Sequence, residues 1–494
     1  MDARELAVMN AASIVSAPGL VLSIAIPWIL GTLLVRVILG KKRYPMALYL
    51  GHGYLLGFFV CTLLLRASNS LSLPFNFLGL SSIQIILAAA IAWFIISRRK
   101  ITVSEASAEA KNSNALATWE KTVGVLLLSL ICLRLASIAQ EVWLRPIFGW
   151  DAWDAWVPKT LQFYDSQSLS FSVGTIKDSH GIFSNLVHLW TMLGGSTTKT
   201  TLTGLPWLVA LIALVFAMYG HLRALKISPL ISLLACYFIA SLPFLNIHSM
   251  LVGFADLWLT LVFTLGILSL TLYSNTRQIR VLLLSVFYAL LCGAIKQAGI
   301  VMGAILVACI IAQILIQLDK KWLSLTAFAI FAGAALVVIV VFTTEYQVNV
   351  DLPLVGEIVF RQDRFKVSGL TVILKEYVSI IPPLTESSFF FASWHLVVYL
   401  FLFVLGCSVI KRAWLLSTHP VVLATLSSFI FVWLYHSFVA PGAAYGHQGL
   451  SRALMYITPS MVYWIILVIL AYSNQQKRST APGSPLALAQ RKFE

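Results

Sequence analysis

Residues 122–140 read TVGVLLLSLICLRLASIAQ, and the chain soon reaches Gly149-Trp150-Asp151-Ala152-Trp153-Asp154-Ala155-Trp156. The first stretch carries one charge, Arg134, and as an α-helix it is long enough to cross a hydrocarbon core. The second sets two carboxylates among three tryptophans, a composition typical of the membrane–water interface. Together they read as a membrane helix followed by its emergence into water. Acids are scarce, 19 in 494 residues. Two of them at one emergence point suit a general base working on a substrate held at the bilayer surface.

The rest of the chain repeats the apolar half of this pattern. It is 59% hydrophobic and 11% charged, with a mean hydropathy of +0.89. That leaves too little polar surface for a soluble fold of this length. The net charge of +15 comes in short clusters between apolar runs, as topology signals do, which argues against a nucleic-acid-binding face. Cys61, Cys132, Cys236, Cys292, Cys309 and Cys407 all fall in apolar segments without metal-ligand spacing, and read as small core residues.

Apolar runs fall at about 13–36, 46–66, 80–97, 122–140, 202–221, 229–249, 252–273, 281–296, 298–317, 322–343, 388–410, 419–438 and 452–472. They predict an all-α polytopic membrane protein with about thirteen transmembrane helices. With the N-terminus outside, that number puts every basic cluster on the cytoplasmic side. The clusters are Lys41-Lys42-Arg43, Arg98-Arg99-Lys100, His221 to Lys226, Arg277 with Arg280, Lys320-Lys321, Lys411-Arg412 and Lys477-Arg478. The first run is expected to be an uncleaved span, since its basic group follows it.

The chain then divides into three N-terminal spans (1–100), a cytoplasmic linker (101–121), a transmembrane module (122–472) and a polar tail (473–494) expected to be disordered. Two long loops, 141–201 and 344–387, fall outside and hold eleven of the nineteen acids. Helix-like spacing of Phe183, Leu186, Val187 and Trp190 predicts amphipathic helices lying on the outer membrane face in these loops.

Five candidate residues share that outer side. Asp151 and Asp154, three apart, would share one face of a helical turn. Asp256 is an acid inside an apolar span, where a carboxylate is paired or functional. Lys296 sits in a tight outer turn, against the positive-inside trend, and so calls for an anionic partner such as a lipid-linked phosphate. Arg452 starts the last span and could grip a phosphate bidentately. His180, His248 and His447 also fall outside, without metal-ligand spacing, and read as hydrogen-bonding residues. No metal ligands are assigned, and a divalent cation is compatible with the acids without being indicated by them. A base opposite cations suits removal of an acceptor proton while a phosphate departs from a lipid carrier.

These patterns resemble the GT-C superfamily of integral membrane glycosyltransferases, in particular the branch of the protein mannosyltransferases and lipid A aminoarabinose transferases. The resemblance rests on Gly149 to Lys159, His180-Gly181-Ile182-Phe183, Ala255-Asp256, Ile295-Lys296-Gln297-Ala298-Gly299, and Arg452 with Tyr456 and Pro459. It covers roughly residues 120–472, and three additional spans precede it.

The resemblance implies a GT-C-like fold and inverting transfer of a sugar from a polyprenyl-phosphate-linked donor to a periplasmic glycan, lipid or protein acceptor. The site would lie on the outer face of a bacterial cytoplasmic membrane. Asp151 is then the expected base and Asp154 a second carboxylate. Lys296, Arg452 and Lys159 are expected to hold the donor phosphate, and Asp256, His180, His447 and Tyr456 to contact substrate. A flippase for lipid-linked saccharide and an oligosaccharide polymerase or ligase are the alternative readings. A flippase would favour paired halves with charges at the midplane, and a polymerase or ligase would favour Arg and His in an outer loop.

Overall fold

The apolar runs become helices, and their breaks fall where polar or special residues interrupt them. The structure, a computed structural model, describes residues 16–40, 43–99, 117–170, 181–199, 201–317, 348–352, 356–360, 396–410, 419–438 and 448–479. The N-terminal helices are α1 (Ala17–Leu39), α2 (Met46–Ser70), α3 (Phe77–Arg99) and α4 (Thr118–Leu144). A short π-helical turn (Ala152–Trp156), α5 (Val157–Ser166) and α6 (Phe183–Gly195) follow. Then come α7 (Leu205–Ala224), α8 (Pro229–Ser241), α9 (Pro243–Met250), α10 (Asp256–Thr276), α11 (Ile279–Ile295) and α12 (Gln297–Gln317). After strands β1 (Val348–Leu352) and β2 (Gly356–Phe360) come α13 (Val397–Ile410), α14 (Pro420–Phe438), α15 (Gln448–Met455) and α16 (Thr458–Ser479).

Seven of these helices are long and apolar enough to cross a membrane. Counting each of the bent pairs α8–α9 and α15–α16 as one span raises the number to nine. The chain is a multi-pass membrane protein. Shorter apolar helices α11, α13 and α14 occupy three more of the expected runs. The run at 322–343 lies outside the described residues, as do most of the linker and the end of the tail.

Helix α10 is the axis of the bundle, buried along nearly its whole length. Trp258, near its start, is the hub of an aromatic cluster. Tyr54 of α2 stacks on it at 5.8 Å between ring centroids, and Phe183 of α6 and Trp207 of α7 meet it edge-on at 5.7 and 5.9 Å. The N-terminal spans are therefore built into the same core as the site helix. Close approach seats them there. A Cβ on Gly57 would lie 1.7 Å from the Pro27 carbonyl oxygen, and one on Gly53 would lie 2.4 Å from Thr32 Oγ1. Gly53-Tyr54-Leu55-Leu56-Gly57 thus lets α2 cross α1 backbone to backbone, as small residues four apart do in membranes.

A buried hydrogen-bonded chain joins α2, α7 and α11. His52 Nδ1 meets Tyr288 Oη at 2.7 Å, and its Nε2 meets His221 Nε2, also at 2.7 Å. Tyr288→Phe is expected to strip His52 of one partner inside the bundle and to lower stability by about 1–3 kcal/mol. A melting curve equal to wild type would show that Tyr288 contributes packing only.

Two expectations about the outer loops are corrected. Helix α6 forms where periodicity placed it, but it does not lie on the membrane surface. Phe183, Leu186, Val187 and Trp190 are buried, and so are Ser184, Asn185, His188 and Thr191 on its other faces. Several of its polar side chains bond protein groups instead of water. Asn185 donates to the Trp156 carbonyl, His188 bonds Thr203, and Trp190 Nε1 donates to the Ser23 carbonyl. In the second loop the described residues form two paired antiparallel strands where an amphipathic helix was expected, in the register Val348↔Phe360 to Leu352↔Gly356. The alternation Val348-Asn349-Val350-Asp351 is a strand period. The reading of all six cysteines as core residues is also corrected, because Cys132 is exposed on α4.

Candidate functional site

The carboxylate-bearing segment leaves α4 at Leu144 and turns onto the bundle through Gly149. A Cβ there would lie 2.5 Å from Phe254 Cε2, so the Gly149 backbone sits directly against the Phe254 ring. Trp153 Nε1 donates to the Ile147 carbonyl and closes the turn at 2.8 Å. Trp150 stays 81% exposed, as an interfacial tryptophan should. Residues 152–156 then widen into a π turn, a feature frequent at functional sites. The Trp156 carbonyl of that turn is taken by Asn185 Nδ2 at 2.6 Å, which pins the turn to α6.

Phe254 forms the floor beneath this turn. The chain reaches it through Gly253, whose φ of +95° is a conformation that side-chain-bearing residues rarely adopt. Trp207 Nε1 holds the Phe254 carbonyl at 2.7 Å, and the Arg452 guanidinium lies 5.3 Å from its ring centroid. Gly253→Ala is expected to cost about 1–2 kcal/mol by forcing strained backbone under the site. An unchanged melting temperature would contradict that.

Four charges from four distant segments meet above this floor. Arg452 Nη1 on α15 donates to Asp151 Oδ2, across 301 positions of sequence. Lys296 Nζ, in the extended break between α11 and α12, pairs with Asp256 Oδ1 at 2.7 Å and donates to Tyr456 Oη at 3.1 Å. Tyr456 Oη in turn donates to the same Asp256 oxygen, which starts α10. The two pairs belong to one cluster, since Arg452 feels the charges of both Asp256 and Asp151. They differ in exposure: the Lys296 and Asp256 side chains are 16% and 3% exposed, those of Arg452 and Asp151 24% and 36%.

The structure thus brings together Asp151, Asp256, Lys296, Arg452 and Tyr456. The π turn spaces Asp154 from Asp151 more widely than one α-helical face would, and Lys159 is buried at 1% exposure in α5. His180 and His447 lie outside the described residues. The anionic partner expected for Lys296 is found within the chain, in Asp256.

His248 is a site neighbour that the sequence left among ordinary hydrogen-bonding residues. It is buried between Phe244 and Phe254, with ring centroids at 4.7 and 5.8 Å, and its Nδ1 has no hydrogen-bond partner among the described residues. The charges of Asp256, Arg452, Lys296 and Asp151 all reach it. Spacing gave no sign of this, because residue 248 joins the site only through the bend between α8 and α9. Among the described residues, no three His, Cys, Asp or Glu side chains are grouped to hold a metal ion.

His188, in the helix that pins the π turn, is pushed down to about 3 from its ordinary 6.5 by burial. Above pH 6.5 it is neutral whether the chain is folded or unfolded. Between about 6.5 and 3 only the unfolded chain takes the proton, so stability falls as pH falls, by up to about 1.4 kcal/mol per unit from this group. His188→Gln is expected to flatten the acid limb of a stability–pH curve, and an identical slope in the variant would count against the burial account.

The fold and site define a multi-pass membrane protein with a charge cluster at helix ends. Compared with known proteins, the chain matches no family model, no curated sequence and no solved structure.

Proposed function

We propose that this chain is a GT-C-type glycosyltransferase with thirteen spans. In this reading it moves one sugar, with inversion, from an undecaprenyl-phosphate-like donor to an acceptor at the periplasmic face of a bacterial cytoplasmic membrane. The single observation that carries the reading is the meeting of Asp151, Asp256, Lys296 and Arg452 from four distant segments. The acids face cations beside an aromatic floor and next to an exposed interfacial tryptophan.

In the proposed reaction an acceptor hydroxyl oxygen attacks the anomeric carbon, and the bond from that carbon to the donor phosphate oxygen breaks. The hydroxyl proton passes to Asp151, and the electron pair of the broken bond stays on the departing polyprenyl phosphate. Arg452 and Lys296 stabilise the charge that grows there. Asp256 and Tyr456 orient Lys296, which fixes its direction and leaves Asp151 as the proton acceptor. Asp154 as second carboxylate, Lys159 as third cation, and His180 and His447 as substrate contacts belong to the same proposal.

A flippase for lipid-linked saccharide is the second reading, favoured by the buried His52–His221–Tyr288 chain inside the spanning bundle. One experiment separates the two. Proteoliposomes containing the purified protein and an undecaprenyl-phosphate sugar should release undecaprenyl phosphate when an acceptor is supplied. Sugar lipid crossing the bilayer intact, with no release, would favour the flippase. Cells lacking the protein should lose one sugar from an envelope glycan or lipid, and an unchanged profile would count against both readings.

A further inference from the structure

We propose that Asp151 occupies the donor-phosphate position on Arg452, so that donor binding and release of the catalytic base are one exchange. The inference rests on the glycosyltransferase reading and adds an order to it: donor first, then activation of the acceptor.

The argument begins with a conflict inside the site. A carboxylate paired with a guanidinium is a weak base, because the positive charge favours its ionised form. Asp151 accepts from Arg452 in just this way. For Asp151 to take a proton, that pair must part.

The two ion pairs of the cluster differ in how easily they can part. Lys296–Asp256 is nearly enclosed and is locked by a third group, Tyr456. Separating it would strand a charge away from water. Asp151–Arg452 is a quarter to a third open to solvent and has no third hydrogen-bonding group among its described contacts. Water can replace either partner there, so the pair holds only weakly.

Arg452 remains in place when Asp151 leaves. Its guanidinium lies over the Phe254 ring, and the field of Asp256 still acts on it. The planar fork that held a carboxylate can take two oxygens of a phosphate diester in its stead. Asp151, in the first turn of the helical stretch 150–166, swings its side chain into water beside Trp150 and Trp153 and becomes a competent base. The same contact keeps the base quiet before donor arrives.

The test is binding of undecaprenyl phosphate to the full-length protein in nanodiscs, which needs no transfer. If Asp151 competes for Arg452, Asp151→Asn should bind this lipid roughly two- to fivefold more tightly than wild type, the upper part of the range expected for a partly exposed pair. Asp151→Ser should do the same, which guards against a defect peculiar to the amide. Asp165→Asn removes the same charge from the exposed end of α5, away from the cluster, and should change affinity less than twofold.

Unchanged or weaker binding by both Asp151 variants overturns the exchange. Equal tightening by Asp165→Asn also overturns it, because the effect would then be a general field. If wild type and all variants fail to bind undecaprenyl phosphate, the glycosyltransferase reading falls and takes the exchange with it. If Asp151→Asn binds as wild type does but has lost transfer, the base assignment stands and the exchange alone is wrong.

Discussion

Asp151→Asn is expected to lower sugar transfer by about two to four orders of magnitude, the usual contribution of a positioned general base. The amide keeps the shape of the side chain, and a group 36% exposed on a surface turn contributes little to folding. The loss should therefore appear in protein with a normal melting temperature. Release of undecaprenyl phosphate from a sugar donor in proteoliposomes measures it. A rate within tenfold of wild type would remove Asp151 as the base.

The second large effect is on stability. Lys296→Met leaves Asp256 ionised at 3% exposure, with Tyr456 as its remaining hydrogen-bond donor. Breaking one side of a buried pair costs about 3–5 kcal/mol, mostly through the stranded charge. Asp256→Asn together with Lys296→Met removes both charges and should recover most of that loss. Denaturation of the two variants in one detergent compares them directly. A double variant no more stable than Lys296→Met would show that the pair matters through something other than its charges. On the proposed mechanism neither variant regains transfer, because the phosphate loses a cation in both.

What could be read in the sequence follows from which forces are local. Hydrocarbon thickness acts on each run separately, so the runs at 46–66 and 229–249 could be read one at a time. They appear as α2 and as the bent pair α8–α9. The bend at Leu242 needs the following Pro243, a visible breaker. Asp256 and Lys296 could be picked out because each breaks a local rule, an acid in an apolar span and a lysine on the outer side. That they satisfy each other is a fact of packing across 40 residues, and no local rule contains it.

Other features were hidden for different reasons. Helix α6 has a strong apolar stripe, and a stripe alone cannot distinguish a surface helix from one whose polar face meets protein. The polar residues Asn185 and His188 were the available hint. The π turn is one residue wider than an α-helical turn, which defeats the inference that positions three apart share a face. The strands at 348–352 and 356–360 carry a legible alternation in Val348-Asn349-Val350-Asp351, a signal too short to stand out in a long loop.

The most direct test of the central claim, that distant segments meet at one outer hollow, is a cross-link. Asp151→Cys and Arg452→Cys are introduced together after the six native cysteines are replaced. The Asp151 and Arg452 side chains meet at their tips, so a bifunctional methanethiosulfonate long enough to replace the arginine side chain should join the two cysteines within one chain. A membrane-impermeant thiol reagent added from outside should block the reaction. Failure to cross-link, or protection only by reagent supplied from the cytoplasmic side, would contradict the account.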